Sequence, residues 1–138
     1  MDTHSSPRLV VRPGVLPDAR RRDWLGVCDL RALVPGRGVA VLLPDRRQAA
    51  VFLLPSGMLY CVGNIDPYSG AAVISRGLTG DRAGEATVAS PLLKQVFSLR
   101  DGRAMDDDGV ALPTFAVRVK LGAVLLGVER SASADTAA

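Results

Sequence analysis

The chain has 138 residues, 48% of them hydrophobic, and a formal net charge of +3. That is enough apolar material for one domain with a real core, and too much for a disordered polymer. No apolar run approaches the roughly 18 residues a membrane-spanning helix needs, and a 4% aromatic content without basic–aromatic interleaving argues against nucleic-acid binding.

Residues 1–22 read as a flexible, polar leader. Pro7, Pro13 and Pro17 interrupt any helix, Leu9–Val11 has the makings of a short edge strand, and Arg20–Arg22 reads as a solvated charge cluster. The opening residues lack the basic and then apolar segments of a secretory signal, so a cytoplasmic location is expected.

From residue 23 the chain turns to short apolar runs bounded by Gly and Pro. Strands are expected over Trp24–Cys28, Val39–Leu43, Gln48–Leu54 and Met58–Val62, with a brief helical turn after Asp29 and a tight turn at Pro55-Ser56-Gly57. The period fades between Gly63 and Gly102. Within that stretch a turn is expected at Thr79-Gly80-Asp81, a strand over Ala86–Ala89 and another over Gln95–Leu99. Two final strands follow, Thr114–Val119 and Val124–Val128, and residues 129–138 read as a disordered tail. Strands about ten residues apart with turn signals between them predict an all-β sandwich or barrel.

The chemistry-bearing residues are sparse. The single histidine, His4, lies in the leader, which leaves the body without an imidazole for a nucleophilic pair, a general acid or a zinc site. Cys28 and Cys61 each sit in a strand-like run, where a buried free thiol is the ordinary reading. Asp106-Asp107-Asp108-Gly109 lacks the ligand spacing and terminal Glu of a calcium loop and reads as a solvated acidic turn. None of the 14 glycines falls in a phosphate-loop or dinucleotide pattern. Asn64 and Asp66 read as turn formers whose side chains bond nearby backbone, with Asp66 held extended by Pro67. As metal ligands, Asn64, Asp66 and Ser90 would be three weak oxygen donors with no histidine to select a transition metal.

Two stretches stand out together: Asn64-Ile65-Asp66-Pro67-Tyr68-Ser69-Gly70 with Ser75-Arg76-Gly77, and Ser90-Pro91-Leu92-Leu93-Lys94-Gln95-Val96-Phe97-Ser98-Leu99-Arg100-Asp101-Gly102. They resemble the two cluster-binding loops of a Rieske domain with the ligands removed. A Rieske [2Fe–2S] centre takes Cys-x-His from one loop and Cys-x-x-His from the other; Asn64 and Asp66 occupy the first pair of positions, Ser90 and Leu93 the second. From about Trp24 to about Val128 the chain is similar to the small subunit of assimilatory NADH-dependent nitrite reductase.

That resemblance implies a Rieske-like antiparallel domain over residues 23–128, with a smaller loop-bearing subdomain over about 63–102. It implies no cofactor, metal or catalytic residue in this chain, and a large catalytic partner subunit holding FAD, sirohaem and an iron–sulfur cluster. The partner interface is expected around Tyr68, Arg76, Lys94 and Gln95. Leu92 and Leu93 are expected to fill the space a cluster would occupy, so that the two loops pack directly on each other. The alternative is a stand-alone Rieske-like interaction module without redox activity; an electron-carrying Rieske ferredoxin is excluded by the missing ligands.

Overall fold

The short Gly- and Pro-bounded runs do form strands, nine among the described residues, all paired antiparallel. The fold is given by a computed structural model that describes residues 22–129; the expected leader, with its Leu9–Val11 segment, His4 and the start of the arginine cluster, and the tail beyond Glu129 lie outside the described residues. Arg22 opens the first strand. The described residues divide into two structural units, 22–30 with 116–129, and 31–115. No helix among the described residues is long and apolar enough to cross a membrane.

In the first unit, β1 (Arg22–Asp29) pairs with β9 (Ala123–Glu129), and β9 pairs with the second part of β8 (Thr114–Lys120). The β8–β9 hairpin closes on Leu121 and Gly122, both left-handed at φ 52° and 81°, the two-residue geometry whose twist matches paired strands. Trp24 lies opposite Gly127, and the guanidinium of Arg118 sits 3.9 Å above the indole ring. A Cβ on residue 127 would come within 3.1 Å of that ring, which is why a glycine fits there.

The second unit carries two sheets. β2 (Gly38–Leu42), β3 (Gln48–Leu53) and β4 (Leu59–Gly63) form a meander, and Thr114 and Phe115 at the start of β8 pair with the far side of β4. The four central residues of β3, Ala49-Ala50-Val51-Phe52, are all buried, which explains why that run is apolar throughout rather than alternating. β5 (Leu78–Arg82), β6 (Glu85–Ala89) and β7 (Val96–Ser98) make the smaller sheet. Ala50, Phe52, Val62, Ile74, Val88, Phe97 and Leu99 form the core of this unit.

One expected turn is a strand. Thr79-Gly80-Asp81 lies within β5, in register with Ala86–Val88 of β6, and the chain reverses instead at Ala83-Gly84, with φ of 53° and 86°. The two-residue Ala-Gly connection supplies the paired positive φ angles a tight hairpin needs, and Gly80 is simply a small residue in a strand. The stretch 63–102, where two strands are expected, contains a three-stranded sheet inside the second unit; β6 and β7 fall at the expected places and β5 is the added strand.

Candidate functional site

Strand β4 ends at Gly63 and releases the chain into a first loop, residues 64–77; β6 ends at Ala89 and releases it into a second, residues 90–95. In the first, Asn64 is buried and fully engaged. Its Oδ1 accepts from the Ser75 N–H at 2.7 Å, its Nδ2 donates to Oε1 of Gln48 at 3.1 Å, and its carbonyl accepts from the Ile74 N–H. Ile74 heads a single 3-10 turn, Ile74–Arg76, and its side chain joins the core. Asn64 therefore staples the start of the loop to its end.

Asp66 governs the tight part of the loop. Its Oδ1 accepts from the Tyr68 N–H at 2.8 Å, its carbonyl accepts from the Gly70 N–H, and its own N–H donates to Ala71. Gly70 takes φ 77°, which closes the turn. The other carboxylate oxygen reaches across to the second loop, where Ser90 Oγ donates to it at 2.6 Å. Asp66 and Ser90 are both wholly buried. A buried carboxylate without a cation is tolerated because each oxygen receives a strong, charge-assisted hydrogen bond.

The second loop closes on itself. The Ser90 N–H donates to the Gln95 carbonyl, the Lys94 N–H donates to the Ser90 carbonyl, and the Leu92 N–H lies 3.4 Å from Ser90 Oγ. Closing so short a loop places Lys94 in the left-handed region at φ 61°, a conformation that costs a non-glycine residue about 1–2 kcal/mol. The direct join between the loops is thus polar, a serine–aspartate hydrogen bond. Leu92 and Leu93 do not fill the space between them, contrary to expectation: they are 53% and 54% exposed. The closed turn directs them outward, and Ile74 and Phe97, both fully buried, belong to the core beneath.

Tyr68 is half-buried and committed within the chain. Its ring packs against the core, 6.1 Å from that of Phe97, and its hydroxyl donates to Oδ2 of Asp107 at 2.8 Å. Desolvation, reinforced by that hydrogen bond to a carboxylate, pushes the phenol up to about 12. Gln95 is half-buried with its carbonyl holding Ser90, whereas Arg76 and Lys94 are exposed and have no ion-pair partner among the described residues. The four residues expected at an interface thus fall on the two joined loops, two on each, but only the cations are free to meet something else.

Gln48 carries no mark in the sequence, and Asp107 is marked there only as part of an acidic turn; both matter here because the fold brings them to Asn64 and Tyr68. The acidic turn is engaged rather than merely solvated, since Asp106 also pairs with Arg82 at 3.0 Å. Beyond the loops, Glu85 accepts from Ser98 Oγ at 2.7 Å and lies 3.3 Å from both Arg100 and Arg103; the serine hydrogen bond, then the arginines, hold its carboxyl below the usual range.

A [2Fe–2S] cluster does not fit these residues. Asn64, Asp66 and Ser90 offer neither thiolate nor imidazole, their side chains are already bonded (Asn64 to Gln48 and backbone, Asp66 to Ser90 and backbone), and Leu93 is an exposed hydrocarbon. Cys61 lies in β4, where burial pushes its thiol up to about 12 and keeps it protonated. Among the described residues no three His, Cys, Asp or Glu side chains are grouped to hold a metal ion.

Comparison with known proteins agrees with this frame. Residues 23–127 match the family model described as a Rieske-like [2Fe-2S] domain. The nitrite reductase (NADH) small subunit of Escherichia coli K12 is 39% identical over 104 residues, spanning 75% of this chain and 96% of that protein. A crystal structure from Mycobacterium tuberculosis, described as an NADH-dependent nitrite reductase small subunit, superposes with a TM-score of 0.78 at 46% identity, covering 80% of this chain and 99% of the other. A further match lies inside a longer protein: 111 residues, 80% of this chain, are 40% identical to a stretch making up 11% of the nitrite reductase [NAD(P)H] large subunit of Klebsiella oxytoca.

Proposed function

The chain belongs to the family of Rieske-like small subunits of NADH-dependent nitrite reductase, and we propose that it serves as the accessory subunit of such an enzyme, binding a large catalytic subunit that reduces nitrite to ammonium. The observation that carries this reading is the combination of an end-to-end match to the small subunit with ligand positions rebuilt as a hydrogen-bonded staple. A domain that kept the Rieske frame and lost its redox group has structure to offer a partner, and no electron to pass on.

On this reading the reaction runs in the large subunit, on FAD, sirohaem and an iron–sulfur cluster held there, in the cytoplasm. This chain contributes no catalytic group. Its part is to bind, through the joined loops that carry Tyr68, Arg76, Lys94 and Gln95, and so to stabilise or orient the large subunit. The occurrence of a homologous stretch within a Klebsiella large subunit supports the association, because fusion keeps the two parts at high effective concentration.

The test is a tagged pull-down from cells grown on nitrite as nitrogen source, with an absorption spectrum of the eluate and an NADH-dependent nitrite reduction assay. A large partner bringing flavin and sirohaem bands is the expected result. A colourless eluate with a different partner, or none, would replace this reading with that of a stand-alone interaction module.

A further inference from the structure

Leucines 92 and 93 present a physical problem. Adjacent large apolar side chains at a loop tip, each more than half exposed, leave a joined apolar surface in water. They are not alone. Ile65, 41% exposed, precedes Asp66 on the first loop, and the Asp66–Ser90 hydrogen bond ties the two loops to each other. The tip is also closed by hydrogen bonds: Ser90 is bonded to Gln95 and to Lys94 through backbone, its hydroxyl is buried on Asp66, and Lys94 is held in a left-handed conformation that a glycine would adopt without strain. Strain retained at an exposed loop tip, beside unpaired apolar surface, is the pattern of a preformed binding element. Two cations without an ion-pair partner among the described residues, Lys94 on the second loop and Arg76 on the first, stand on the same pair of loops.

We propose that Ile65, Leu92 and Leu93, flanked by Lys94 and Arg76, form the surface that docks on the large subunit, seating the leucines in an apolar recess rimmed by acidic side chains. This inference rests on the accessory-subunit reading and adds the location and chemistry of the contact. The occupant is chosen by the Klebsiella protein, in which a homologous stretch is covalently part of a large subunit, so that the remainder of a large subunit is the surface it meets. A preformed tip loses little freedom on binding, which allows a few side chains to carry most of the affinity.

The experiment is a binding titration of the full chain against the purified large subunit of the same organism's nitrite reductase. Four variants are compared with wild type: Leu93→Asp, Lys94→Glu, Lys94→Gly and, as a control, Leu78→Asp, which alters an exposed leucine on the smaller sheet. Leu93→Asp is expected to weaken binding by roughly 30-fold or more, the size of an interface hot spot. Lys94→Glu is expected to weaken it and to reverse its salt dependence, and Leu78→Asp to change it by less than about threefold. Lys94→Gly separates binding from folding: it relieves the left-handed backbone, so its melting temperature should hold or rise while its affinity falls. Wild-type binding together with unchanged affinity in the Leu93 and Lys94 variants would overturn the docking surface and leave the accessory role standing. Failure of the wild-type chain to bind the large subunit at all would overturn both.

Discussion

Replacing Ser90 by Ala tests the junction of the two loops directly. The substitution removes one hydroxyl and leaves the Asp66 Oδ2 oxygen buried, charged and short of its donor. Loss of a hydrogen bond to a buried charged group costs about 1.5–3 kcal/mol. The Leu92 N–H, 3.4 Å from the same hydroxyl, adds little. For a domain between the small and intermediate size classes, each kcal/mol moves the melting temperature by roughly 4 °C, so Ser90→Ala should melt about 6–12 °C lower. Asp66→Asn should be milder, since the amide oxygen can still accept from Tyr68 N–H and the Ser90 hydroxyl can rotate to accept from the new NH2. Denaturant unfolding of Ser90→Ala, Asp66→Ala and the double variant gives the coupling between the two side chains. It should exceed about 1 kcal/mol. A single-variant loss under about 0.5 kcal/mol, or a coupling near zero, would show that this hydrogen bond does not hold the loops together.

Gly102 has φ 81°, and a Cβ there would run into the Leu112 carbonyl oxygen, so Gly102→Ala should cost more than about 3 kcal/mol, whereas Gly57→Ala, at φ 94° in open space, should cost only about 1 kcal/mol; urea midpoints for the pair decide it. The Tyr68 phenol titrates higher in the folded chain, at about 12, than the ordinary tyrosine value of about 10. The unfolded chain therefore loses its proton first, and the stabilisation from keeping Tyr68 protonated, complete below pH 10, should disappear as the pH rises from about 10 to about 12. Tyr68→Phe should show a shallower fall over that window in urea midpoints measured against pH; identical slopes would count against it. Cys61, buried and pushed up to about 12, should resist a thiol reagent at neutral pH until the chain is unfolded, while half-buried Cys28 reacts first; two equally fast native thiols would contradict the burial of β4.

The features legible in the residues alone are local ones. The strands are short because Gly and Pro punctuate them, and nearly all fall where the apolar runs predict. The turn at Asp66–Gly70 is likewise written in adjacent residues: an aspartate that bonds the backbone two positions on, a proline that holds it extended, and a glycine that accepts a positive φ. The Ala83-Gly84 reversal is equally local, yet Thr79-Gly80-Asp81 carries the stronger turn composition and lies in a strand, because a residue type suited to a turn does not reveal whether the fold uses it there.

The site itself comes from long-range pairing. Asp66 meets Ser90 across 24 residues, and Tyr68 meets Asp107 across 39. Those pairings depend on where β4 and β6 end relative to each other, which no window of sequence contains. The leucines illustrate the same limit. In a strand, period-two alternation would have told which way Leu92 and Leu93 point; in a closed loop there is no period, and only the hydrogen bonds that shut the loop on Ser90 turned them from an expected filling into an exposed surface.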